Sequence, residues 1–278
     1  MSNTIEFSAK NLTSNAGLFL LLEHANKNGI FDLIDRDLVF ENASTNKIKM
    51  NHIKTMLCGN FIGIDKLERL KLLQSDPLIN EFSISIKEPE TVSRFLGNFS
   101  YKTTHMLREI NFKVFKKLLR KKKLKSITID IDSSVVNVEG SDFEYFYFVT
   151  NTELPPEKVV IAYEKRGNAE NYIKEAKHDI AVGHLLLQSF WTNEAIFQLM
   201  MLAYNLFLLF KMDFANGTEY RQQIKTFRLK YIFLAGKIIR MARSVVLKLS
   251  KKISLSRNLC KKSFLKKHVF MSQSVVCI

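Results

Sequence analysis

Sixteen residues from Ala195 to Phe210, AIFQLMMLAYNLFLLF, carry almost no polar side chains. Water must be kept from such a segment, either by the rest of the chain or by lipid. It falls short of the roughly 20 residues that span a bilayer, and it contains Gln198 and Asn205. The expectation is therefore a helix buried in the core of a folded protein, with no membrane partner. At 278 residues, 46% of them hydrophobic, the chain is long enough to bury such a core as one large or two small domains.

The first 123 residues read as helical. Ser14 or Asn15 is placed to cap an apolar run through Leu22, and Gly29 supplies a stop before Ile30–Ile34. Two further helices are expected over residues 47–75, with a break at Asp76-Pro77. Pro89 opens a short helix that Gly97 ends. From Thr103 to Lys123, Leu107, Ile110, Val114 and Leu118 share one face, and Arg120–Lys123 form a basic end. Cations there complement the helix dipole or contact phosphates.

The pattern then changes. Residues 126–132 (SITIDID) alternate β-branched and polar side chains, which predicts a strand with Thr128, Asp130 and Asp132 on one face. A second strand is expected over 143–149. Pro155-Pro156 opens a helix that continues to about Lys177. After a turn at Asn216-Gly217, Phe227, Leu234, Ile238, Val245 and Leu249 recur near helical spacing, predicting a long amphipathic helix. The expected fold is mostly α with a small β-sheet, divided as 1–123, 124–215 and 216–278.

Charge is distributed unevenly. The net charge is +15, and the segment from Arg221 to Ile278 holds 15 Lys or Arg with no Asp or Glu, so the remainder balances to zero. A polyanion is the expected partner, with double-stranded DNA ahead of a membrane surface. Cys58, Cys260 and Cys277 show no metal-site spacing, and the N-terminus lacks a signal-peptide pattern. Both features suit a reduced cytoplasmic setting.

The chemistry concentrates in residues 163–177, YEKRGNAENYIKEAK. On one helix, Tyr163, Arg166, Glu170 and Lys177 would fall within a wedge of roughly 60°. A carboxylate beside a phenol, a guanidinium and an ammonium suits a phosphodiester: the acid holds a divalent cation and the cations grip phosphates. The blander reading is an exposed Arg166–Glu170 ion pair worth a few tenths of a kcal/mol.

This Tyr-x2-Arg-x3-Glu-x6-Lys spacing resembles the signature of bacterial insertion-sequence DDE transposases, which have an RNase H-like core. Thr91–Leu96 is similar to a Thr-x-x-Arg-Phe-Leu-like element of their helical N-terminal region, and Leu202–Leu206 to a segment of the apolar helix that follows the signature. The resemblance implies that Glu170 is the third acid of the triad and that Tyr163, Arg166 and Lys177 contact DNA. It implies that Asp132, or alternatively Asp130, is the first acid, with Asp132 and Glu170 binding Mg2+ or Mn2+. It further implies a DNA-binding N-terminal region, terminal-repeat DNA as partner, and a nucleoid-associated location.

One departure stands out. The second aspartate of an RNase H-like core follows further strands and a helix, which require roughly 50 residues with their loops. Only 22 residues separate Asp132 from Pro155. The expected core is thus incomplete, as if internally truncated, and catalysis impaired. The alternative is a non-catalytic DNA-binding protein that pairs with a full-length transposase as a heterodimer, or with itself.

Overall fold

The computed structural model describes residues 10–122, 153–164, 167–180, 187–215, 220–241 and 244–249. A two-residue strand β1 (Leu12–Thr13) leads into α1 (Leu18–Lys27), α2 (Ile30–Asp37) and α3 (Ala43–Ile62). A 3-10 turn over Leu67–Leu73 precedes α4 (Pro77–Glu81), α5 (Pro89–Leu96) and α6 (Tyr101–Lys122). Next come α7 (Pro156–Glu164), α8 (Gly167–Asp179) and α9 (Phe190–Phe214). A short helix α10 (Ile224–Phe227), continued by a π turn over Arg228–Ile232, leads to the strands β2 (Gly236–Met241) and β3 (Ser244–Leu249).

The organising element is α9. It spans 25 residues, longer than the apolar run alone suggested, because Phe190–Glu194 and Lys211–Phe214 extend it at both ends. That length and its hydropathy suffice to cross a bilayer, so the argument from shortness fails. Burial separates the two cases instead: 72% of its most apolar window lies inside the fold. Leu199, Leu202, Ala203, Phe207 and Leu209 have no exposed surface. It packs chiefly on α6, and also on α3 and α1. The α6 face expected from spacing is confirmed, since Leu107, Ile110, Val114 and Leu118 are all buried.

Buried cations close two helix ends that the apolar pattern does not explain. Lys49 Nζ donates to the carbonyl oxygens of Asp35 and Leu38 at the end of α2. Arg228 donates through Nε to Phe61 O at 2.7 Å and through Nη2 to Asn60 O at 2.7 Å, satisfying the last carbonyls of α3. Burial lowers the Arg228 pKa to about 10, which leaves it charged at neutral pH. The stop at Gly29 is as expected, with the residue in the left-handed region at φ 68°. Neither Ser14 nor Asn15 caps α1. Asn15 Nδ2 instead donates to Asp76, the residue that caps α4.

The largest correction concerns the C-terminal segment. Residues 236–241 and 244–249, expected to be helical, are antiparallel strands, with Met241 opposite Ser244 and Gly236 opposite Leu249. Two of the positions used for a 3.6-residue spacing, Ile238 and Val245, are each followed by another β-branched residue, Ile239 and Val246, and such pairs favour a pleated surface. Long-range pairing then decides: β1 adds antiparallel to β2, giving the order β1-β2-β3. The N-terminal chain is clasped further, as Ala16 N donates to Leu234 O and Gly17 N to Ile232 O. Gly17 permits this approach, because a Cβ there would sit 1.6 Å from Tyr231 O. One apolar core consequently runs from Ala16 through α9 to Leu247. The strands expected at 126–132 and 143–149 and the Asn216-Gly217 turn lie outside the described residues.

Candidate nucleic-acid interface

The signature segment is helical wherever it is described. Tyr163 falls in α7, whereas Glu170 and Lys177 fall in α8. Arg166, Asp130 and Asp132 lie outside the described residues. Glu170 and Lys177 are both exposed. Seven residues make nearly two helical turns, which places them on one face about 10 Å apart along the axis. Glu170 occupies the first turn of α8 and Lys177 the last. Each therefore also complements the helix dipole, the ordinary structural use of such charges.

The opposite side of α8 carries groups that motif reasoning missed. Five residues beyond Glu170, about 140° round the helix, Glu175 is only 8% exposed. Its Oε1 accepts from Ile224 N at 2.6 Å, and Tyr204 Oη makes a longer 3.4 Å contact with Oε2. One turn on, Asp179 Oδ2 accepts from Lys225 N at 2.8 Å. The two carboxylates thus cover the first N–H groups of α10. Burial pushes the Glu175 pKa up, opposed by the Ile224 N–H and by nearby Lys211. Burial likewise lowers Lys211, which donates to Gln222 O, and Glu175 and Asp179 draw it back up. In the sequence, Glu175 and Asp179 look like any other acids of a charged helix. Their partners were not legible.

A second charge cluster, built on the buried His24, joins α1, α6 and α9 at the surface. His24 Nε2 lies 2.7 Å from Asp213 Oδ2, and Lys121 Nζ donates to Asp213 Oδ1 at 2.6 Å. Burial depresses the His24 pKa and the Asp213 carboxylate only partly restores it. Burial pushes Asp213 up, but its bonds from His24 and Lys121 outweigh this and hold it low. Lys121, expected as a helix-end cation or a phosphate contact, pairs with Asp213 at the surface.

A cleft of about 620 Å³ opens between α6, α8 and α9, walled by Phe112, Phe115, Leu119, Tyr172, Met201 and Leu208. Its walls are mostly apolar, with Arg108 and Lys122 among the polar residues that also line it.

Residues 136–266, just under half of the chain, match the family model described as Transposase DDE domain group 1. The match supports a DDE transposase. It contains Tyr163, Arg166, Glu170 and Lys177, runs from α7 through the β2–β3 hairpin, and begins beyond Asp130 and Asp132. No curated protein and no solved structure matches the chain. DDE transposase domains act on DNA and generally use divalent metal. Among the described residues no group of three or more His, Cys, Asp or Glu is placed to hold a metal. Glu170 offers the hard oxygen donor that Mg2+ or Mn2+ prefers, but one carboxylate is not a site.

Proposed function

We propose that this chain is the transposase of a bacterial insertion sequence that binds the element's terminal-repeat DNA and is impaired in strand cleavage. The observation that carries this reading is the transposase-domain match across the segment holding all four signature positions. In this reading Lys177, Arg166 and Tyr163 contact the DNA backbone. Glu170 and Asp132, with Asp130 as the alternative first acid, would hold Mg2+ or Mn2+, which when bound would polarise phosphodiester oxygens and activate the attacking hydroxyl. The impairment follows from the 22 residues between Asp132 and Pro155, too few for the remaining strands and second acid of an RNase H-like core. A misplacement of one ångström can cost about a hundredfold in rate. The location that goes with a DNA substrate is the cytoplasmic nucleoid.

Binding to a terminal-repeat duplex should weaken steeply as salt rises, and Lys177→Ala should lower the slope of log affinity against log salt by about one. Lack of any salt-sensitive DNA binding would sink the reading. Robust Mg2+- or Mn2+-dependent cleavage, abolished by Glu170→Ala, would overturn the impairment alone.

The same short interval favours a second reading, a non-catalytic DNA-binding partner of a full-length transposase. Mixing the chain with the intact enzyme and terminal-repeat DNA separates the two. A mixed complex that suppresses the enzyme's cleavage favours the second reading, whereas self-association alone, as a homodimer on DNA, favours the first.

A further inference from the structure

Among the described side chains of α7 and α8, Glu175 is the only buried one. Tyr172 and Ile173, the large apolar residues of α8 nearest to it, are 57% and 55% exposed. This helix is therefore not seated by a hydrophobic stripe in the way that α6 is seated on α9. Its seat is polar. Glu175 and Asp179, one turn apart, accept from the N–H groups of Ile224 and Lys225. Those N–H groups open a helical segment that continues through Ile232. A helix start presents unpaired donors and partial positive charge, which two carboxylates satisfy together. The opened segment is in turn fixed to the core, with Ile224, Phe227 and Ile232 fully buried and Arg228 bonded to the end of α3. Immediately after α8, Ile180 is 1% exposed and joins the same core.

We propose that Glu175, supported by Asp179, is a positioning residue: it clamps α8 to the start of the 224–232 helical segment and so sets the aim of Glu170 and Lys177 on the opposite face. The proposal rests on the reading of that face as the DNA-contacting one. Glu175 itself touches neither DNA nor metal. Its role is to convert a surface helix with little apolar anchorage into a fixed platform. A glutamine at 175 retains an oxygen acceptor of nearly the same reach, so the clamp survives loss of the charge but not loss of the acceptor.

The test uses the full chain and two readouts. In amide hydrogen exchange, Glu175→Ala should accelerate exchange across residues 170–178 at least tenfold while α3 and α6 keep their protection. Glu175→Gln should stay close to the parent. In DNA binding, Lys177→Ala should cost several-fold in affinity in the parent and little in the Glu175→Ala background, because an unaimed Lys177 has less to lose. Unchanged α8 protection in Glu175→Ala, or a Lys177→Ala penalty identical in the two backgrounds, overturns the proposal. Should Glu175→Ala unfold the whole protein, Asp179→Ala decides: loss of protection confined to α8 supports the clamp, and none overturns it. A chain that never binds DNA would defeat the function proposed above, yet the exchange readout would still decide whether Glu175 clamps α8.

Discussion

The body around α9 and the pair α7–α8 solve the same problem, holding a helix in place, by different means. In the body, apolar faces meet: Phe207 is wholly buried, with Phe61 at 5.4 Å and Phe227 at 6.2 Å between ring centroids. Burial of this kind is proportional to area and largely indifferent to direction. In α8, the hold comes from Glu175 and Asp179 on two backbone N–H groups. Such bonds are directional but modest in net worth, about 1.5–3 kcal/mol even when charged. The body is thus held by area and α8 by direction, with most of the described α8 side chains exposed.

That contrast can be broken at several points. The largest effect should come from Phe207→Ala, which removes a fully buried ring at the crossing of α3, α9 and α10. A loss of about 3–5 kcal/mol is expected in denaturant unfolding. Gly17→Ala should follow at about 3 kcal/mol, since the added methyl meets Tyr231 O and the β1–β2 clasp must shift. Retention of parent stability would show that the clasp is not part of the body.

A smaller effect should appear on acidification. His24 and His52 are both buried, and burial lowers the pKa of each below the ordinary 6.5. His52 stacks on Phe95 at 4.6 Å and its Nδ1 has no hydrogen-bond partner. The unfolded chain therefore binds protons before the folded one as pH falls below about 6.5, so stability falls with pH in that window. Melting at pH 5.5 should lie a few degrees below that at pH 7.5, and His52→Leu should shrink the difference. A melting temperature that rose on acidification would contradict the neutral burial of both rings. The smallest effect belongs to α7, where Ile161 is 53% exposed. Ile161→Ala should change stability by no more than about 0.5 kcal/mol, and a larger loss would mean that α7 has an apolar seat after all.

Much of the helical scaffold was legible. Gly29, Pro77, Pro89 and Gly97 mark helix ends because their effects are local to the backbone. The inward face of α6 followed from side-chain spacing alone. The candidate site was legible as a pattern of residue types, and Glu170 and Lys177 do share an exposed helical face. Glu175 escaped notice because an acid in a charged helix looks solvated until its partner is known, and that partner lies 49 residues away.

By itself, the amino-acid order determined which segments coil, where they stop, which stripe of each is oily, and that positive charge gathers past Arg221. Only tertiary structure decided that β2 and β3 pair as strands, that Arg228 and Lys49 seal helix ends from inside, and that Lys121 is drawn into an ion pair. The physical reason is range. Backbone preference and periodicity act over a few residues, whereas strand pairing and buried charge depend on groups brought together across the whole chain, whose net contribution exists only once water has been excluded between them.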